Sequence, residues 1–154
     1  PGNIGFVREY LLNQHRLVAP SKFSETNFED FRYNNSTRSE ATVMRKIIPN
    51  IAGNPVGVLN ESQVAFTNLA SIMKDTAACP NPDWFDGAHP DAPDQAVKLE
   101  LDSVIIPTKK AGVPVAPNSF LEAKSTGGSH EVAEGQAVLD GAYGALSMFA
   151  LKNY

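Results

Sequence analysis

One cysteine, Cys79, stands in 154 residues. It cannot close an internal disulfide, and it leaves no cysteine cluster to hold zinc. No apolar run reaches the roughly 18 residues of a membrane-spanning helix. The greasiest stretches, such as Val104-Ile105-Ile106, are strand-sized. The opening residues PGNIGFVREYLLNQHR lack the apolar core and small-residue cleavage site of a secretory leader. The expected compartment is therefore intracellular, nucleus or cytoplasm, with secretion left open should a leader precede this numbering. Neither a G-x-x-x-x-G-K-[ST] nor a G-x-G-x-x-G pattern occurs, which excludes the nucleotide cradles those motifs build. Ser119, His130 and Asp140 could be named as a hydrolase triad, but no G-x-S-x-G elbow presents a nucleophile.

Charge is scarce as well, at 19% of residues and a net −4, so the total does not mark a nucleic-acid binder. Its distribution is uneven. Residues 1–50 carry seven of the thirteen Lys and Arg, whereas residues 75–102 carry seven acids against Lys98 alone. A basic end and an acidic middle suit a protein that meets a polyanion on one surface and a cation on another. Two solvated faces of an ordinary domain would give the same count. With 42% hydrophobic residues the chain can bury a core, and its length allows one domain.

The residue pattern predicts a short helix over 4–15. A polar stretch follows, residues 21–38, in which Phe23, Phe28, Phe31 and Tyr33 are spaced irregularly and would anchor an irregular segment. A helix then starts after Thr37 or Ser39, with Val43, Met44, Ile47 and Ile48 as its apolar stripe and Pro49 and Gly53 as its stop. Residues 55–59 and 62–70 read as strands. Four prolines within residues 79–94 demand turns or extended chain there. A short helix over 93–101 and a buried strand over 104–106 come next. A loop or hairpin over 107–117, a strand over 118–124 and a long helix over 129–151 complete the reading. Gly135, Ala137, Gly141, Ala142, Gly144 and Ala145 give that helix small side chains, as close approach to a neighbour requires. Five or so strands with three or four helices make an α/β or α+β fold.

The chemistry concentrates at Glu122-Ala123-Lys124. On a strand, alternate side chains share a face, so the carboxylate and the ammonium stand side by side among apolar neighbours. An intra-sheet ion pair would look the same. The context adds a strand before, the turn Ser125-Thr126-Gly127-Gly128 after, and then the long helix.

Together with Asp86-Gly87-Ala88-His89-Pro90 and the stretch from Gln136 to Ala145, this block resembles the PD-(D/E)XK nuclease-like superfamily, and more narrowly an uncharacterised nuclease-like domain found in fungal proteins. The resemblance runs from about Phe28 to Tyr154. It implies an α/β (α+β) restriction-endonuclease-like core in residues 28–154, a central mixed β-sheet flanked by helices, truncated at its C-terminus if a further strand follows. Residues 1–27 would form an N-terminal helix and connecting segment.

The activity implied is metal-dependent hydrolysis of phosphodiester bonds, with DNA favoured over RNA. Two carboxylates would hold Mg²⁺ or Mn²⁺ through oxygen, and a lysine would neutralise developing charge. By this resemblance Glu122 is a metal ligand, Lys124 the catalytic lysine and Asp86 the first choice for the second carboxylate. Asp83, which follows Pro82, and Asp102 stay open as alternatives. Glu40 matches the first-helix acid, although a glutamate in a first turn also serves the helix dipole. Gln136 matches the position that reaches substrate or metal water, and Asp140 and Tyr143 can share its face. These three could equally be polar positions on the solvent side of the helix. His89 and Asp91 form no ligand spacing of known type. Arg38, Arg45 and Lys46 could touch a phosphate backbone. A homodimer and further domains of a longer chain are compatible with the resemblance; a membrane partner is not expected. The alternative reading is an inactive nuclease-like domain that binds nucleic acid or protein.

Overall fold

In a computed structural model, the residues described are 24–36, 39–52, 58–73, 79–125 and 127–154. The chain divides into two compact units, Pro1–Ser36 and Thr37–Tyr154. The helix expected over 4–15 lies outside the described residues. In the first unit, helix α1 (Glu25–Asn35) starts at Ser24, whose hydroxyl accepts from the Asn27 N–H. The irregular segment expected here is thus helical, and Phe28 and Tyr33 are exposed on it.

The second unit is α+β. Its order is α2 (Glu40–Lys46), α3 (Ile48–Ala52), β1 (Leu59–Glu61), β2 (Trp84–Ala88), α4 (Gln95–Glu100), α5 (Asp102–Ile105), β3 (Val115–Leu121) and α6 (His130–Asn153). Three strands, rather than the five expected, form the sheet among the described residues. Its order is β1-β2-β3 and both pairings are antiparallel, so no parallel pair makes it mixed. Pro49 does not end the helical stretch. The break falls at Ile47, and α3 carries Pro49 in its first turn, where a missing N–H costs nothing.

Two expected strands are something else. Residues 62–70 run beside the proline-rich segment, with Gln63 N–H donating to Pro82 O at 3.1 Å and Phe66 N–H to Pro80 O at 2.8 Å. Pro80 and Pro82 have no N–H to return, so the pairing is one-sided and no regular ladder forms. Residues 104–106 end α5: Ile105 N–H donates to Leu101 O and Ile106 N–H to Asp102 O. A three-residue apolar run is the same in a buried helix turn as in a strand.

The core is built by Phe66, Phe85 and Val113, with Val64, Leu69 and Phe120 against them. Phe66 meets Phe85 edge-to-face at 5.0 Å between ring centres, and Phe120 at 6.3 Å. Helix α6 lies on β3 and buries Asp140, Tyr143, Gly144 and Ser147, one stripe at i, i+3, i+4, i+7. A Cβ at Gly144 would stand 2.5 Å from the Phe120 ring, which is why this position is a glycine. Gly135 and Gly141 face open space and carry no such demand. The β2–β3 register shifts between Asp86 and Ala88, where a Cβ at Gly87 would meet Val115 O at 2.6 Å and Ala116 takes a φ of 51°. Among the described residues no helix is long and apolar enough to cross a membrane.

Candidate active site

The site lies at the end of the sheet where β2 begins and β3 finishes. The strand expected over 118–124 is β3, shifted to Val115–Leu121, so Glu122, Ala123 and Lys124 follow it rather than belong to it. The register that pairs Trp84 with Leu121 brings Asp83 opposite Glu122. The two residues clasp each other: the Asp83 N–H donates to Glu122 Oε1 at 3.2 Å, and the Ala123 N–H donates to Asp83 Oδ2 at 2.9 Å. Side chains thus continue the hydrogen bonding where the ladder stops.

Lys124 stands among three carboxylates. Its Nζ is 3.7 Å from Glu40 Oε1, 3.8 Å from Asp83 Oδ2 and 3.7 Å from Glu122 Oε2, and it donates to Ala123 O at 3.1 Å. The Glu122 side chain is 3% exposed and that of Glu40 is 42% exposed, so the cluster opens on the α2 side. Glu40 occupies the first turn of α2, as expected for a dipole-serving acid, yet its carboxylate also reaches Lys124.

Helix α6 closes the other side. Asp140 is 2% exposed. Burial, then a hydrogen bond with Glu122, then the charges of Glu122 and Asp83, push its carboxyl up to about 7. A carboxyl in so dry a place beside other acids ionises at a cost, which is the direction of the Asp140 shift. Glu122 Oε2, Asp140 Oδ2 and Gln136 Oε1 are buried without a hydrogen-bond partner. Gln136 is partly buried one turn before Asp140, and Tyr143, 3% exposed, accepts from the Ile72 N–H at 3.4 Å. The face that carries Asp140 and Tyr143 is therefore the buried one, not the solvent side.

Of the residues singled out from the sequence, Glu40, Glu122 and Lys124 come together. The carboxylate that joins them is Asp83, not Asp86. The reason is parity. Asp83 is two residues before Phe85 and Glu122 two after Phe120, so both are in step with the core face that α6 covers. Asp86 is out of step, shares the opposite face with Trp84, and accepts from the indole Nε1 at 3.1 Å. Parity against the two buried phenylalanines was the signal in the sequence that selects Asp83. Asp102 is committed elsewhere: it pairs with Lys109, whose ammonium holds its carboxyl below the ordinary range, and accepts from Asn68. Asp140 was legible only as a helix-face neighbour of Gln136. His89 and Asp91 pair loosely at 3.7 Å on an exposed loop.

A buried carboxylate oxygen without a hydrogen-bond partner suits an oxygen-preferring cation, and Glu122 Oε2 is such an atom. Among the described residues, however, no group of three or more His, Cys, Asp or Glu is arranged to hold a metal ion. No family model, no curated protein and no solved structure matches the chain.

Proposed function

We propose that the chain is a metal-dependent nuclease of the PD-(D/E)XK type, with DNA as the favoured substrate and Glu40, Asp83, Glu122 and Lys124 as its site. The observation that carries the reading is one lysine ammonium within 4 Å of three carboxylates drawn from three separate segments. A structural ion pair needs two partners; this arrangement spends three acids on one base. Pro82-Asp83 with Glu122-Ala123-Lys124 also spells the family pattern with an acid that meets the E-x-K acid directly.

Asp83 and Glu122 would hold Mg²⁺ or Mn²⁺, with Glu40 at the open side, and the orphaned Glu122 Oε2 fits an oxygen-preferring cation. When bound, such an ion supplies charge stabilisation at the phosphate and a more acidic water. Lys124 faces the opening of the cluster, where its ammonium neutralises charge developing on a phosphate oxygen. Gln136 and Asp140 offer polar groups from α6.

A second reading, a binding module that does not cut, is favoured by the fact that Lys124 engages all three acids itself. The two separate in a cleavage assay on labelled single- and double-stranded DNA and RNA with Mg²⁺, Mn²⁺ or EDTA. Cutting that needs the ion and is lost in Asp83→Asn and Lys124→Ala supports the nuclease. Absence of cutting, together with absence of Mn²⁺ binding by calorimetry, selects the binding module.

A further inference from the structure

On the opposite face of β2 a cleft of about 250 Å³ lies between α2 and the strand, lined by Ala41, Met44, Arg45, Ser62, Gln63 and Trp84. It begins one residue from two members of the acidic cluster, since Ala41 follows Glu40 and Trp84 follows Asp83. On α2, Met44 lies one turn after Glu40 and Arg45 one turn after Ala41, so the lining continues the face that carries the carboxylate.

Its chemistry differs from that of the cluster. Trp84 is half-buried, and its indole is tethered by the bond to Asp86 Oδ1, which leaves the ring faces as its contact surface. Arg45 is exposed, and no carboxylate among the described residues pairs with it. Ala41 and Met44 supply an apolar wall. Gln63 sits at φ 53°, a strained conformation of the kind that gathers at binding sites, and its N–H is fixed to Pro82 O beside Asp83. The volume is below the roughly 300–1,000 Å³ of pockets that enclose whole drug-sized ligands, so it suits one flat group.

We infer that this cleft takes an unpaired nucleobase of a single-stranded nucleic acid, stacked on Trp84 with its phosphate on Arg45, next to the bond to be cut. This rests on the nuclease reading and sharpens it. An aromatic ring offers stacking to any base, and a guanidinium pairs a phosphate through two N–H groups. A base inside a duplex has both faces covered by its neighbours, so the cleft favours single strands, frayed ends or flaps. Asp86 acquires a task here: it is a positioning residue for the indole.

Trp84 is the only tryptophan in the chain, so its fluorescence reports the cleft directly. Titration with a short single-stranded DNA in EDTA, where cutting is blocked, is expected to quench it. Anisotropy of the same labelled DNA is expected to show binding weakened on the order of tenfold in Arg45→Ala and in Trp84→Ala, with Trp84→Phe restoring most of it. Duplex DNA of the same sequence should bind more weakly than the single strand. Quenching that is absent, affinity unchanged in Arg45→Ala, or equal affinity for duplex and single strand would overturn the inference. Should Trp84→Ala fail to fold, Arg45→Ala and the strand preference decide it. Wild-type cutting that persists undiminished in Arg45→Ala sinks the cleft alone; no cutting by wild type, with no Mn²⁺ bound, sinks the nuclease reading itself.

Discussion

The two faces of β2 start from the same backbone and end in opposite chemistry. On one, Phe85 is fully buried and α6 seals the side chains in step with it, so that Asp83, Glu122 and Asp140 meet where water is scarce. On the other, Trp84 and Asp86 stay half-buried and pair with each other, and Trp84 lines the cleft beside α2. Asp83 and Asp86 are three residues apart with the same side chain. An odd offset decides that the first joins a lysine and two other acids while the second steadies an indole. Position on the sheet, more than residue type, decides which carboxylate joins the cluster around Lys124.

On the nuclease reading proposed above, the largest effect expected from this difference is in cleavage. Asp83→Asn should lower the cutting rate by about 10²–10³-fold, as removal of a group that stabilises transition-state charge does. Asp86→Asn, which keeps an oxygen for the indole N–H, should change it by no more than about twofold, the scale of an ordinary partly exposed substitution. Equal losses in both variants, measured on one DNA substrate, would erase the distinction between the faces.

The next effect is in stability against pH. In the unfolded chain Asp140 titrates near pH 3.9; in the fold its carboxyl is pushed up to about 7. The folded state therefore holds a proton that the unfolded state has lost. The contribution is fully present below about pH 4 and fades as pH rises through 7, by on the order of 2–4 kcal/mol. Urea denaturation should show wild type losing stability over that window and Asp140→Asn remaining nearly flat. Parallel slopes would mean that the sealed face does not tune this acid.

Smaller effects come from two glycines of α6. Gly144→Val must displace the Phe120 ring and should cost about 1–3 kcal/mol. Gly135→Ala points into open space and should stabilise by up to about 1 kcal/mol, through helix propensity alone. Thermal melts of the pair test whether the close approach is confined to one position on the helix.

The long helix, the short helix expected over 93–101 and found over Gln95–Glu100, and the Glu122-Lys124 block were legible in the sequence because their signals are local. A glycine turn, a run of small residues and a three-residue spacing need no knowledge of what lies opposite. The stretch over 62–70 misled because its alternation is genuine, yet its partner is a proline-rich segment that cannot return hydrogen bonds. Residues 104–106 misled because three apolar residues carry no period. Within the site, Asp86 was preferred for its place along the chain, whereas membership depends on which face of a strand looks at Phe120. That fact is shared between two strands nearly forty residues apart, and no single window of sequence contains it.

The clasp between Asp83 and Glu122 joins residues 39 apart in sequence. It is in effect the knot of a large loop that includes α4, α5 and the exposed turn at Gly112, where φ is +80° and space is open. The entropy of closing a loop rises only with the logarithm of its length, so doubling it costs about 0.6 kcal/mol. Chain can therefore be inserted at Gly112 without loosening the acids tied at its base, and the span between the two halves of the site is free to vary in length while the site itself stays fixed.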